Sequence, residues 1–232
     1  MSETVSISTL DGTGAFDCYV ARPETSPRAA IVVIQEIFGV NAGIRRKCDK
    51  FADEGYLALA PDLFCRLKPN VELDPDVDGE FKTALELMGR FDQDEGVRDI
   101  EATIRYARNS EGCARVGVVG YCLGGRLAYM TAARTDADAS VGYYAVGIDN
   151  LLREKHAIAK PLMLHIAGAD HFVPPPVQQA MHDGLDDHPK VTLWDYPGLD
   201  HGFATEIGSR RNEEGAALAD ERTDAFFAEH LA

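Results

Sequence analysis

The sequence predicts an α/β fold, a doubly wound and mostly parallel sheet with helices on both faces. Three observations carry this prediction. Short continuous apolar runs at residues 29–34, 57–60, 116–119 and 162–167 are bounded by turn residues, as in central strands buried on both faces. Longer stretches with a helical apolar period stand between them. Polar residues then gather just beyond the ends of several runs (Glu36, Cys122, Asp170 and His201), where open α/β sheets place their reactive groups.

In chain order, residues 4–7 and 15–20 read as an antiparallel hairpin around the turn Asp11-Gly12-Thr13-Gly14. The strand 29–34 follows, then a helix over 41–54 with Asn41 as N-cap and Gly55 as its stop. A short strand at 57–60 is broken by Pro61-Asp62, and a proline- and aspartate-rich loop over 65–79 is expected to border the mouth of the site. Two helices come next, over 80–91 and 96–109, the second with Val97, Ile100, Ile104 and Ala107 on one face. The remainder alternates: strand 115–119, helix 122–134, strands 140–144 and 162–167, helix 176–185, strand 191–196, and a last helix over 214–230. No repeat, linker or low-complexity tract interrupts the pattern. At 232 residues the chain is expected to be a single domain over 1–232 with one continuous core.

Composition narrows the function classes. A net charge of -15 argues against nucleic acid and anionic membrane surfaces as partners. Acidic runs such as residues 74–80 and 183–187 fit either adaptation to high salt or a biased genome composition. The N-terminus has no basic region followed by an apolar core, and no stretch approaches membrane-spanning length, so a cytoplasmic monomer or small homo-oligomer is the expectation. The five cysteines, at 18, 48, 65, 113 and 122, are odd in number and show no C-x-x-C spacing, which argues against a disulfide framework and against a metal site. Four of them read as small apolar residues. No phosphate-loop pattern is present, and no cofactor is expected.

The fifth cysteine is different. Gly120-Tyr121-Cys122-Leu123-Gly124-Gly125 follows a buried strand and opens a helix, the context of a nucleophile elbow. Glycines flank the cysteine because the turn forces strained backbone geometry, and side chains there would clash with the adjoining strand and helix. At a helix N-terminus the macrodipole favours a thiolate. Asp170 follows the strand 162–167 through Gly168-Ala169, and His201 follows the strand 191–196 through a turn. The order nucleophile, acid, histidine is that of the α/β-hydrolases. The histidine takes the thiol proton and returns it to the leaving group, while the carboxylate fixes the ring tautomer. His165 reads as a core histidine within its strand, His171 competes because it follows Asp170, and Asp195 and Asp200 are rival orienters.

Five segments together resemble the dienelactone hydrolase family over nearly the whole chain: Gln35-Glu36-Ile37-Phe38-Gly39, Ala60-Pro61-Asp62-Leu63-Phe64, the elbow, Gly168-Ala169-Asp170, and Asp200-His201-Gly202-Phe203. The resemblance implies an α/β-hydrolase fold with Cys122 as nucleophile, His201 as base and Asp170 as its orienter. It also implies that Glu36 contacts the thiol in the resting state and that the backbone N–H groups of Ile37 and Leu123 hold the oxyanion. Physically, Glu36 emerging beside a neutral thiol is expected to keep it protonated until substrate disturbs the pair. Family members that act on dienelactone hold its carboxylate with arginines; here Thr205 stands at one such position and Phe81-Lys82 near the other. Lys82, Arg210 and Arg211 are the candidates to compensate, a neutral ester or a different lactone being the other possibility. Phe38, Tyr121 and Phe203, with Tyr143, Tyr144 and Phe172, are expected near the pocket.

The function expected from all this is hydrolysis of an enol-lactone or activated carboxylic ester, a small-molecule substrate, through a thioester on Cys122. The alternative is a redox-sensing or electrophile-binding protein that uses Cys122 without turnover.

Overall fold

In the computed structural model, which describes residues 1–232, the chain opens with strands β1 (Ser2–Ser8) and β2 (Ala15–Ala21), then runs through β3 (Ala30–Ile34), helix α1 (Ala42–Asp53) and β4 (Leu57–Pro61). Helices α2 (Asp78–Arg90) and α3 (Gln93–Asn109) precede β5 (Val116–Tyr121), α4 (Leu123–Arg134) and β6 (Ala139–Tyr143). A 3₁₀ segment, Ile148–Ala157, leads to β7 (Leu162–Ala167), α5 (Pro175–Leu185), β8 (Val191–Tyr196) and α6 (Glu213–His230). The eight strands form one sheet in the order β1-β2-β4-β3-β5-β6-β7-β8. Only β1 with β2 and β2 with β4 pair antiparallel; every other pair is parallel.

Every residue of β3, β4 and β5 is buried, which is why these runs are apolar without alternation. Along β3, Ala30, Val32 and Ile34 join a core beneath α3, α4 and α5, while Ile31 and Val33 join a second core beneath α1 and α6. Asn41 caps α1 as expected, its side chain accepting from the N–H groups of Gly43 and Ile44 at 3.1 and 3.2 Å, a contact worth about 1 kcal/mol. Helix α3 begins three residues earlier than the sequence pattern suggests, because Asp92 accepts from the N–H groups of Asp94 and Glu95 and starts the helix before its apolar stripe begins. The 3₁₀ segment has no counterpart in the sequence reading, since only Ile148 and Leu151 in it are buried.

The winding reverses at β3, which has β4 on one side and β5 on the other. The loops leaving β3 and β5 therefore diverge to opposite faces, α1 to one and α4 to the other, and a crevice opens between them. Ile34 pairs with Gly120 in the register. Glu36 and Cys122 thus leave the sheet side by side.

Candidate active site

Cys122 has φ 56° and ψ −112°, a left-handed backbone that costs a non-glycine residue about 1–3 kcal/mol. The turn holds because its N–H donates to the Tyr143 carbonyl at 3.1 Å and because its glycines let the helix close in. A Cβ on Gly120 would fall on the Gly124 carbonyl, and one on Gly124 would lie 2.5 Å from the Ile34 oxygen. The first turn of α4 therefore rests against β3 and β5, with the sulfur at its N-terminal end.

The other two residues of the sequence-predicted triad meet across the ends of β7 and β8. The Nδ1–H of His201 donates to Asp170 Oδ2 at 2.7 Å, and both side chains are buried. Asp170 Oδ1 accepts from the Phe172 N–H at 2.8 Å, which fixes the carboxylate plane. The His201 ring stands between Phe172 and Tyr144, with centroids at 4.9 and 5.0 Å. The ring and Cys122 line the same cavity. Burial alone would discharge this imidazole, but the Cys122 sulfur and the Asp170 carboxylate outweigh it and push His201 up to about 10.

The rivals are engaged elsewhere. Asp200 accepts the backbone N–H of His201 at 2.7 Å and pairs with the exposed His171 at 3.1 Å, while Asp195 pairs with His182 at 3.1 Å. His165 is a fully satisfied core residue, bonded to the Tyr196 hydroxyl at 2.7 Å and to Thr223 at 3.0 Å.

Glu36 lines the cavity with Cys122, yet its hydrogen bond is with Tyr144, whose hydroxyl donates to Glu36 Oε1 at 3.3 Å. Burial raises its pKa, against the pull of His201, Tyr144, Lys47 and Arg210. Ile37 and Leu123 also border the cavity, and their N–H groups donate to no backbone carbonyl within the fold. The loop beyond His201 is tied down at Glu206, which takes the buried Lys47 at 3.1 Å, Lys50 at 2.5 Å and Arg211 at 3.3 Å. Helix α1 and the histidine loop are thereby joined.

The profile of the dienelactone hydrolase family matches residues 16–231. The "Putative carboxymethylenebutenolidase" of Azospirillum brasilense is 44% identical over 94% of this chain and 95% of its own length. The carboxymethylenebutenolidase of Pseudomonas putida is 40% identical over 98% and 97%. This chain belongs to the dienelactone hydrolase family. The crystal structure of the "Putative Dienelactone Hydrolase" from Klebsiella pneumoniae superposes with a TM-score of 0.83 at 27% identity, covering 99% of each chain. The sheet is therefore that of an α/β-hydrolase, and family membership favours a hydrolase over a Cys122 sensor without turnover.

Within this family member the cavity measures about 290 Å³. Phe38 and Thr205 line it, although the Thr205 hydroxyl is spent on the Ile207 carbonyl at 2.9 Å. Three expected contacts fall elsewhere. Tyr121 is buried in the core beneath α1 and α6, with the Lys47 ammonium 5.1 Å from its ring centroid. Phe203 is turned inward just after Gly202 (φ +80°) and packs on Tyr196, Tyr144 and Tyr143. Lys82 is exposed, because α2 turns Phe81, Leu85 and Met88 toward the cavity and position 82 lies about 100° round the helix from 81. Of the two compensating arginines, Arg211 is held by Glu206 and Glu213, whereas Arg210 borders the cavity and has no ion pair. Sequence reading missed Arg126, which borders the cavity from α4 with its Nε donating to Gln93 at 2.7 Å and Nη1 to the Gly147 carbonyl at 3.0 Å. The signal was its i+4 spacing from Cys122, which puts both on one helix face.

Proposed function

We propose that this dienelactone hydrolase family member cleaves enol-lactones and activated carboxylic esters by acyl transfer to Cys122. The observation that carries the reading is the 2.7 Å bond from His201 to Asp170 beside a cysteine in a strained strand-to-helix turn. The Cys122 thiolate attacks the carbonyl carbon, and the N–H groups of Ile37 and Leu123 receive the negative charge that moves onto oxygen. Collapse of the adduct breaks the bond to the leaving oxygen, which takes the proton of the His201 imidazolium, leaving a thioester. Neutral His201 then draws a proton from water as it attacks the thioester, and the thiolate departs. Burial shifts Glu36 toward its neutral form, which weakens the repulsion a carboxylate would exert on the thiolate, and its Oε1 orients Tyr144 by accepting from the hydroxyl.

Thiolates leave a tetrahedral adduct more readily than alkoxides, so simple alkyl esters revert, whereas an enolate or phenolate departs forward. A carboxylate on the leaving side would meet Arg210, in a charge-assisted contact worth about 1.5–3 kcal/mol. The enzyme acts as a single domain in the cytoplasm, without nucleic acid or membrane partners, as a monomer or small homo-oligomer. No helix in the fold is long and apolar enough to cross a membrane.

The test is hydrolysis of p-nitrophenyl acetate and of cis- and trans-dienelactone by wild type and Cys122→Ser, followed for burst and steady state. Dienelactone turnover that vanishes in the variant is expected; silence on all three substrates would defeat the reading.

A further inference from the structure

Three of the protein's eight exposed large hydrophobic side chains, Leu85, Met88 and Phe172 at 40–43% exposure, line the one cavity that holds Cys122. A fourth, Val77, stands at the N-cap of α2. On a surface with net charge -15 such clustering marks a place where apolar ligand surface is covered.

The two sides of the cavity can be told apart by the chemistry. The leaving oxygen must take the proton of His201, so the leaving group extends toward Phe172, packed on that ring, and toward Arg210, whose side chain lies beside Gly202. The acyl substituent points the other way. There Phe38, next to the proposed oxyanion donor Ile37, packs at a tilt against Phe81 with centroids 6.1 Å apart, and Leu85 and Met88 continue that wall along α2 at i+4 and i+7. No charged side chain of α2 enters the cavity, although its sequence carries Asp78, Glu80, Lys82, Glu86 and Arg90. At about 290 Å³ the space approaches that of pockets for drug-sized ligands, roughly 300 Å³ and upward.

We propose that the α2 face is an acyl pocket and that the substrates carry an apolar group of several carbons on the acyl side of the scissile bond. The inference rests on the hydrolase reading above. Phe81, Leu85 and Met88 set the selectivity, and Met88 adapts to the shape of the chain.

The experiment compares kcat/KM for p-nitrophenyl acetate, butyrate and hexanoate in wild type, Leu85→Asp, Met88→Asp and Cys122→Ala. The readout is the hexanoate-to-acetate ratio within each protein, so that a change in folded fraction cancels. Full burial of each methylene would raise the rate up to about fourfold. A wild-type ratio of about tenfold or more, cut at least about fivefold by either aspartate, is expected. A flat wild-type profile, or a rise that both variants retain, overturns the acyl pocket while leaving the hydrolase reading intact. Acetate turnover that survives Cys122→Ala defeats the hydrolase reading and the pocket with it.

Discussion

Two buried histidines sit a few residues from the ends of adjacent strands, and they have opposite characters. His165, within β7, and His201, beyond β8, are both nearly sealed from solvent, and each makes a 2.7 Å hydrogen bond through Nδ1. Burial, with Arg222 and Lys47 adding to it, drives His165 down to about 3. His201 meets the same burial cost and still rises to about 10, because its neighbours are the Cys122 sulfur and the Asp170 carboxylate. The partners of His165 are hydroxyls, which satisfy hydrogen bonds without supplying charge. Burial therefore does not by itself set the charge of a histidine; the formal charge of its partners does.

The largest test of this contrast makes His201 resemble His165. Asp170→Asn gives it a neutral partner, and kcat should fall about 10³–10⁴-fold, the scale seen when the orienting carboxylate of a hydrolytic triad is lost. The alkaline limb of the kcat/KM profile, expected near pH 10 in wild type where the imidazolium loses its proton, should move to lower pH in the variant. A rate loss with an unmoved limb would mean that the carboxylate orients the ring without holding its charge.

A second, intermediate effect is on stability. His201 has a raised folded pKa, so its contribution is fully present below about 6.5 and is lost as pH rises toward about 10. His165 has a depressed one, so its contribution is present above about 6.5 and is lost as pH falls toward about 3. Each slope is at most about 1.4 kcal/mol per pH unit. Urea unfolding from pH 4 to 10 should show stability falling on both sides of neutrality, and the alkaline decline should shrink in Cys122→Ala, where His201 loses its strongest favourable neighbour.

The smallest effect belongs to the structural histidine. Tyr196→Phe removes the hydroxyl bonded to His165 Nδ1 and should cost about 1–3 kcal/mol in urea unfolding. Because that bond serves the core, kcat should stay within about twofold of wild type. A larger loss of activity would show that the two histidines are coupled through Phe203, which packs on Tyr196 and Tyr144.

The sheet and the Asp170–His201 pair were legible in the sequence because both depend on local order: apolar runs of fixed length, and polar residues just past their ends. Cys122 declared itself through flanking glycines that only a tight elbow requires. The pocket wall was less legible, for physical reasons. Tyr121 ends a strand buried on both faces, where no polar alternation says which side a ring takes. Phe203 looked accessible beside His201, but the positive φ of Gly202 turns the chain inward. Near the missing arginine, charge drew attention to Lys82, whereas the helix turns its apolar neighbour Phe81 to the cavity. Glu36 lines the cavity with Cys122, but its hydrogen bond is with Tyr144, a residue 108 positions away that no local pattern reveals.

The strained backbone at Cys122 also bears on how such a protein can change over generations. A glycine there would adopt φ 56° freely and relieve the strain of the elbow, at the loss of the sulfur's attraction for the His201 imidazolium. Where the relieved strain outweighs that attraction, selection for thermal endurance would push this position toward an inert scaffold, and demand for thiol chemistry would hold cysteine in the bend.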